Sequence, residues 1–167
     1  MENPIFSLLL ISLLSIFLTE AIADVVTLNV INLGAKPDGQ TDSTRALLTA
    51  WAAACGSLKP ATIFVPQGKY LVKQAHFKGK CKNRAITFQI DGTLIAPSDY
   101  NVIGNSKNWI MFQGVDGVSI HGGILDGQGT SLWSCKASGK NCPSGANVSR
   151  KSFMLSVYFN LLKGALA

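Results

Sequence analysis

The feature that most constrains the fold is a series of short β-prone runs separated by glycine-rich turns. Marker glycines recur at Gly68, Gly92 and Gly114, at spacings of 24 and 22 residues. The segment Ile90–Ile95 is also similar to Ile120–Leu125, which lies 30 residues further along the chain. Weak repeats of this length are typical of solenoids, in which each coil buries its inward face on its neighbours. The pattern favours a β-solenoid, with an ordinary β-sandwich as the alternative.

The runs with strand character are rich in β-branched and aromatic residues and are bounded by turn signals. They are Val25–Leu33, Ile63–Val65, Tyr70–Val72, Ile86–Ile90, Thr93–Ile95, Trp109–Phe112, Val118–Ile120 and Ile124–Leu125. The sequence therefore predicts an all-β protein.

One helix is predicted between the first strand and the repeats. After the turn cluster Gly34–Gly39, Asp42 or Ser43 can cap a helix that runs to about Cys55 and ends at Gly56. Its apolar residues recur at helical spacing: Ala46, Leu47, Ala50, Trp51 and Ala54. We expect this face to be a lid on the core and not a ligand site. No further helix is predicted before the end region of the chain.

Residues 1–23 have the pattern of a secretory signal peptide. The run Ile5–Leu18 consists of apolar residues and serines, and the small-x-small triplet Ala21–Ala23 follows it. The run is shorter than the roughly 20 apolar residues that span a bilayer. Glu2 departs from the pattern, because a basic residue is usual there. We expect cleavage before Asp24 and a secreted domain over residues 24–167, with an N-terminal membrane anchor as the alternative.

The net charge indicates what a secreted domain of this kind would bind. Removal of residues 1–23 takes away Glu2 and Glu20 but none of the 15 Lys and Arg residues, so the net charge rises from +6 to +8. Outside a cell, such a surplus favours acidic polysaccharides over nucleic acid. The alternative is that the charge only keeps the protein soluble. The densest cationic cluster is Lys69, Lys73, Lys78, Lys80, Lys82 and Arg84.

The cysteines indicate the same compartment. All four lie behind the predicted signal peptide: Cys55, Cys81, Cys135 and Cys142. Their even number predicts two disulfides with three possible connectivities, of which we favour Cys55–Cys81 with Cys135–Cys142. A zinc site is not expected, because no Cys-x-x-Cys pair occurs and His76 and His121 are not spaced as partners. The segment Asn147-Val148-Ser149 is a glycosylation acceptor, which also fits an extracellular protein.

In combination and in order, several segments resemble the plant polygalacturonases, the pectin-hydrolysing enzymes of glycoside hydrolase family 28. They cover about residues 25–146: Val30–Thr44, Ala50–Cys55, Val65–Val72, Gly79–Lys82, Gly92–Pro97, Gly122–Gly129, Leu132–Lys136 and Cys142-Pro143. The resemblance implies a right-handed parallel β-helix whose open N-terminal end is capped by the predicted helix. It also implies a secreted, monomeric cell-wall protein whose partner is polygalacturonate. Other β-helix pectin enzymes, including lyases, are less compatible with the opening motif and the Trp-Ser-Cys loop.

The resemblance further implies inverting hydrolysis. One carboxylic acid protonates the leaving oxygen and another carboxylate activates water, with the two groups about 6.5–9.5 Å apart. In that family the work is done by an Asn-Thr-Asp segment, an Asp-Asp pair, a Gly-His-Gly segment and an Arg-Ile-Lys segment. None of these occurs in this sequence. We therefore assign no catalytic residue, cofactor or metal ligand, and we expect the chain alone to be inactive.

The nearest candidates for catalysis have structural explanations. His121 lacks the glycine that would precede it in the family segment, and it lies too early in the chain. Turns favour aspartate because its side chain bonds to the local backbone, and we assign Asp38, Asp42, Asp91 and Asp126 to turns and a helix cap. Hydrolysis by this chain would need an unsuspected carboxylate pair among Asp91, Asp99, Asp116 and Asp126.

The end of the sequence departs from the family. Instead of the next coil there is Phe153–Leu162, followed by Lys163–Ala167. We expect a truncated chain whose last coil is uncovered, and solenoids need caps for solubility. Two further hypotheses are a non-catalytic fragment that binds acidic polysaccharide, and a barrel completed by a separately made C-terminal half.

Overall fold

The computed structural model describes residues 24–104, 106 and 108–143. The elements, in chain order, are β1 (Val26–Asn29), a 3-10 helix (Val30–Leu33), β2 (Asp38–Asp42), α1 (Thr44–Gly56), β3 (Ala61–Val65), β4 (Lys69–Leu71), β5 (Ala75–Lys78), β6 (Ile86–Ile95), β7 (Ile110–Gln113), β8 (Val118–Asp126) and α2 (Thr130–Ala137). The predicted signal peptide, the acceptor Asn147 and the unusual C-terminal segment lie outside the described residues. None of the described helices is long and apolar enough to cross a membrane.

Every strand pair is parallel, and the strands form three stacks. The first stack runs β1, β3, β6, β8, and the second joins β2, β4 and the later halves of β6 and β8. The third stack pairs β5 with β7. In the first stack Ile63, Phe88 and Ile120 lie one above another in register. Each turn of chain therefore lies on the previous one, and the predicted parallel β-helix is confirmed.

The core lies inside these coils. The evidence is that buried and partly buried residues alternate along the strands. In β3, Ala61, Ile63 and Val65 are buried while Thr62 and Phe64 are less so. The same alternation continues in β6, where Ile86, Phe88 and Ile90 point inward. Burying each large aliphatic or aromatic side chain contributes about 1.5–3 kcal/mol.

Helix α1 covers one end of this core, as predicted. The five residues of its predicted apolar face are all buried: Ala46, Leu47, Ala50, Trp51 and Ala54. The Trp51 ring lies 5.4, 6.0 and 5.7 Å from the ring centroids of Phe77, Phe88 and Phe112. Aromatic pairs at these separations add about 0.5–1.5 kcal/mol each beyond area burial. One tryptophan thus joins the lid to three coil residues.

The two residues proposed as helix caps have different roles. The Asp42 Oδ1 atom accepts a hydrogen bond from the backbone N–H of Thr44 at 3.0 Å, which satisfies a free donor of the first turn. Ser43 occupies the N-cap position, but its side chain does not cap the helix. Its buried Oγ instead accepts from the backbone N–H of Lys36 at 3.1 Å and fixes the preceding turn.

The first predicted strand is shorter than expected. It ends at Asn29, whose Oδ1 accepts from the backbone N–H of Ile31 at 2.9 Å and starts the 3-10 helix. Local side-chain bonds of this kind compete with strand pairing. Residues 38–42, expected as turn and cap, pair with β4 as strand β2. Ile86–Ile90 and Thr93–Ile95, expected as two strands, form the single strand β6 with an irregularity between them.

The expectation of no further helix before the end region was wrong, because Thr130–Ala137 forms α2. This helix lacks a side-chain cap, since Gly129 precedes it, and it buries only Leu132 and Cys135. Without a cap or an apolar stripe, the sequence carries little signal for a helix. Strand β5 was also missed: its four residues include His76 and Lys78, which weaken its strand character.

Both predicted disulfides are present in the favoured connectivity. Cys55 at the end of α1 bonds to Cys81 in the loop after β5. Cys135 in α2 bonds to Cys142. The first bond ties the helical lid to a coil, and the second holds α2 to the chain that follows it.

Gly117 offers a direct test of the coil stacking. Its φ is +68°, and an added Cβ would lie 1.7 Å from the Arg84 carbonyl oxygen of the coil beneath. We expect Gly117→Ala to lower the free energy of unfolding by at least about 2 kcal/mol, because the coils cannot separate without losing strand pairs. Gly56→Ala is the matched control, since no atom lies within 4 Å of its added Cβ. Urea denaturation compares the variants, and equal midpoints would contradict the described packing.

The two disulfides are expected to differ in their contribution to stability. Cys55–Cys81 has a sequence separation of 26 residues and Cys135–Cys142 one of 7. On loop-closure entropy, Cys55→Ala/Cys81→Ala should cost roughly 3–4 kcal/mol and Cys135→Ala/Cys142→Ala about 2 kcal/mol. Chemical denaturation of each double variant measures the difference. A larger loss for the second pair would mean that α2 matters more to the fold than α1.

Candidate functional site

The aspartates that could have formed a catalytic pair have local partners or lie on exposed turns. Asp99 Oδ1 accepts from the backbone N–H and the side-chain amide of Asn101, both at 2.9 Å. Asp126 Oδ1 accepts from the backbone N–H of Gln128 at 3.0 Å. Asp91 accepts from the Gln89 side chain at 2.9 Å, and Asp116 is exposed before β8. Asp126 ends β8 and bonds to the turn that follows, as expected. The assignment of Asp91 to a turn was wrong, because it lies within strand β6 beside the irregularity after Ile90.

The two earlier aspartates are held ionised by the turns they stabilise. The side-chain hydrogen bond from Thr41 is the main cause that lowers the pKa of Asp38 to about 2, and the backbone N–H groups of Gln40 and Thr41 add to it. Burial raises the pKa of Asp42, but hydrogen bonds from Thr44 and the ammonium of Lys73 outweigh it and lower the pKa. Lys73 Nζ lies 3.3 Å from the Asp42 carboxylate. Neither carboxylate is suited to donate a proton at neutral pH.

His121 lies in the exposed part of β8, in register with Gln89 of β6. No group of three or more His, Cys, Asp or Glu residues within the described ranges could hold a metal ion.

The structure divides the cationic cluster identified in the sequence. Lys69 is in β4 and Lys73 is paired with Asp42, so both belong to the turn region beside β2. Of the other four cations, Lys78 ends β5, and Lys80, Lys82 and Arg84 lie in the loop that follows, which bends at Lys82 and Arg84. All four are exposed, whereas the residues between them are partly buried. We call residues 78–84 the basic segment.

The basic segment borders a groove against α1 with a volume of about 420 Å³. The helix supplies one wall and the strand and loop supply the other; the lining residues are Leu48, Trp51, Ala52, Cys55, Gly56, His76, Lys78, Lys80 and Lys82. The groove therefore has an apolar side and a cationic side. We call it the lysine groove.

His76 is the other polar residue of the lysine groove. Its Nε2 atom is buried and has no hydrogen-bond partner within the described part of the chain. A buried polar atom without a partner costs about 1–3 kcal/mol relative to a satisfied one. The His76 ring lines the groove, but Nε2 itself has almost no surface exposed there.

Sequence reasoning found the lysines of this site but not the groove. It treated α1 only as a lid, whereas the flank of the helix beside its buried face lines the groove with Leu48 and Ala52. These two residues are four positions apart and so share a helical face. The alternation of Lys78, Lys80 and Lys82 was only a weak signal for a shared side, because alternate residues point the same way in extended chain and this segment bends at Lys82.

Comparisons with known proteins agree with the fold. The hyperthermoactive exopolygalacturonase from Thermotoga maritima superposes with a TM-score of 0.53 over 84% of this chain and 34% of that chain, at 17% identity. This likeness supports the right-handed parallel β-helix and, at that identity, concerns the fold alone.

Sequence relatives are closer. A polygalacturonase from Prunus persica is 59% identical over 142 residues, which are 84% of this chain and 36% of the relative. An exopolygalacturonase from Zea mays is 45% identical over 107 residues, or 64% of this chain and 26% of that protein. This chain thus spans about a third or less of the length of these relatives.

The profile described as "Glycosyl hydrolases family 28" matches residues 55–158, which are more than half of the chain. The match begins at Cys55, the residue that ties α1 to the coils, and it includes strands β3 to β8. The chain belongs to glycosyl hydrolase family 28.

Proposed function

We propose that this chain forms the N-terminal, capped section of a polygalacturonase, which hydrolyses the α-1,4-galacturonan of pectin in the plant cell wall. The observation that carries the proposal is the 59% identity to the Prunus persica polygalacturonase over 142 residues. The capped coils fit this part, because α1 covers the core at one end.

In this proposal the described coils are scaffold, and the residues of this chain do not hydrolyse pectin on their own. The aspartates with hydrogen bonds use them for local contacts, Asp91 within strand β6 and Asp99 and Asp126 in turns. The four segments associated with catalysis and substrate grip are absent from the sequence. General acid and base catalysis needs carboxyl groups that face the scissile bond with pKa values matched to their roles.

The proposed compartment is extracellular, with signal cleavage before Asp24 and glycosylation at Asn147. Two disulfides support it, because such bonds persist in oxidising compartments. The proposed partner is polygalacturonate, with the protein as a monomer.

A second function is non-catalytic binding of acidic polysaccharide. The lysine groove favours it, since three lysines line one groove. Both functions share the same ligand class and differ in whether a bond is cleaved.

Release of reducing ends from polygalacturonate separates the two functions. The full chain is produced in a secretory host, purified, and assayed at mildly acid pH beside a mock purification. We expect no release above the mock, because the four segments associated with catalysis and substrate grip are absent from the sequence. Addition of a separately produced C-terminal half tests whether a completed barrel restores activity.

Four variants define the opposite result: Asp91→Asn, Asp99→Asn, Asp116→Asn and Asp126→Asn. Clear release by the parent chain, reduced about 10²–10⁴-fold by one of these changes, would identify a catalytic carboxylate and overturn the scaffold role. Release that all four variants retain equally would point to a contaminating enzyme, and the mock purification would contain it too.

A further inference from the structure

We propose that the lysine groove is a binding site for the carboxylates of a polyuronate chain, separate from the site of hydrolysis. The inference rests on the proposed function for its ligand class, an acidic polysaccharide. It goes further in placing that ligand on the outer flank of α1, against residues 76–84.

The first argument is the alternation of charge along the basic segment. Lys78, Lys80, Lys82 and Arg84 are exposed, whereas Gly79, Cys81 and Asn83 between them are partly buried. Three of these cations, Lys78, Lys80 and Lys82, line the lysine groove together. The segment therefore presents three cations to one groove, and a polyuronate presents a carboxylate on each sugar.

The second argument is that the residues between the cations anchor the segment. Cys81 is bonded to Cys55 of α1. The Asn83 side-chain amide donates to the carbonyl oxygens of Ala54 and Ser57, each at 2.9 Å. Gly79 donates its backbone N–H to Gln113 of the next coil at 3.0 Å. The charges therefore extend from a backbone that is already fixed.

The backbone of the lysines themselves is also fixed to the helix. The Trp51 indole N–H donates to the Lys78 carbonyl oxygen at 2.9 Å, and the Lys82 backbone N–H donates to the Cys55 carbonyl oxygen at 2.8 Å. Preorganisation of this kind raises affinity because little backbone entropy is lost on binding. It also separates the roles of backbone and side chain, so the side chains can be changed without breaking these bonds.

The third argument is that the cations of the groove are not neutralised. The ion pairs among the described residues are Lys59 with Asp24 and Lys73 with Asp42, and neither involves the basic segment. The positive potential of the cations in the basic segment therefore remains available to an incoming anion. Charge-assisted hydrogen bonds from Lys to carboxylate are roughly twice as strong as neutral ones.

The fourth argument is the mixed character of the groove. Leu48 and Ala52 give it an apolar wall, and the buried His76 Nε2 lacks a partner. A sugar ring presents C–H surface as well as polar groups, so its C–H face can cover Leu48 and Ala52 while its carboxylate faces the lysines. A uronate ring thus matches the groove in charge and in polarity, whereas a bare polyanion would leave the apolar wall uncovered.

The test compares two triple variants with equal loss of charge. Lys78→Gln/Lys80→Gln/Lys82→Gln removes the cations of the groove. Lys36→Gln/Lys69→Gln/Lys140→Gln is the matched control, because these three lysines are exposed and lie elsewhere. Binding of a short oligogalacturonate of uniform length to the full ¹⁵N-labelled chain is followed by NMR, together with binding of its fully methyl-esterified form.

We expect the groove variant to bind oligogalacturonate about tenfold or more weakly than the control variant, since three charge-assisted contacts are lost. Shifts in the parent chain should concentrate on the amides of residues 76–84 and on the Trp51 indole N–H. Added salt should weaken the binding, because ions screen exposed charges. The methyl-esterified form should cause no comparable shifts.

Other results would contradict the proposed binding site and show whether the proposed function fails with it. If both triple variants bound oligogalacturonate equally weakly, binding would depend on net charge. The lysine groove would then not be the site, although the polysaccharide could still be the partner. Equal binding of the esterified form would exclude carboxylate recognition. If the parent chain did not bind oligogalacturonate at all, both the proposed binding site and the non-catalytic function would be wrong. The reducing-end assay would still decide whether the chain hydrolyses pectin.

Unfolding midpoints ensure that the comparison concerns binding. Both triple variants should have the same unfolding midpoint as the parent chain, because the backbone hydrogen bonds of Lys78 and Lys82 to α1 are kept. If the groove variant does not fold, Lys80→Glu replaces it, with Lys69→Glu as its control. The Lys80→Glu change places a negative charge between Lys78 and Lys82 and should abolish binding of oligogalacturonate.

Discussion

The parallel, in-register pairing of β6 with the strands on either side is the constraint on which the rest of the structure depends. β6 pairs with β3 and β4 on one side and with β8 on the other. Register fixes which residue lies above which, and a shift by one residue would turn every inward side chain outward. The buried column through Ile63 and Phe88 exists only in this register. The corners then place the loops, including the basic segment, at defined positions outside the coils.

Aromatic contacts between Trp51 and three phenylalanines of the coils fix the position of α1. Trp51 packs on Phe77, Phe88 and Phe112, so α1 is positioned by residues of separate coils. The same indole donates its N–H to the Lys78 carbonyl oxygen at the start of the basic segment. Core packing, the position of the lid and the shape of the lysine groove are therefore coupled through a single side chain.

Features with a local physical cause could be predicted from the sequence. The buried face of α1 followed from helical spacing, and most strands followed from β-branched runs between turns. Strand β5 and helix α2 were missed because tertiary contacts hold them: β5 pairs with β7, and α2 carries a disulfide. The lysines of the candidate site were visible as a cluster. Their division into an ion-paired group and a groove was not, because Asp42 and Leu48 reach them only in the folded chain.

The alternation within the basic segment has an evolutionary consequence. Anchoring belongs to Gly79, Cys81 and Asn83, and surface charge belongs to the residues between them. Single-codon changes at the charged positions can alter the surface charge of the segment while these anchoring contacts stay constant. Changes at the anchoring positions act on the scaffold itself. Selection can therefore adjust surface charge and folding as separate traits, although both are encoded in one stretch of seven residues.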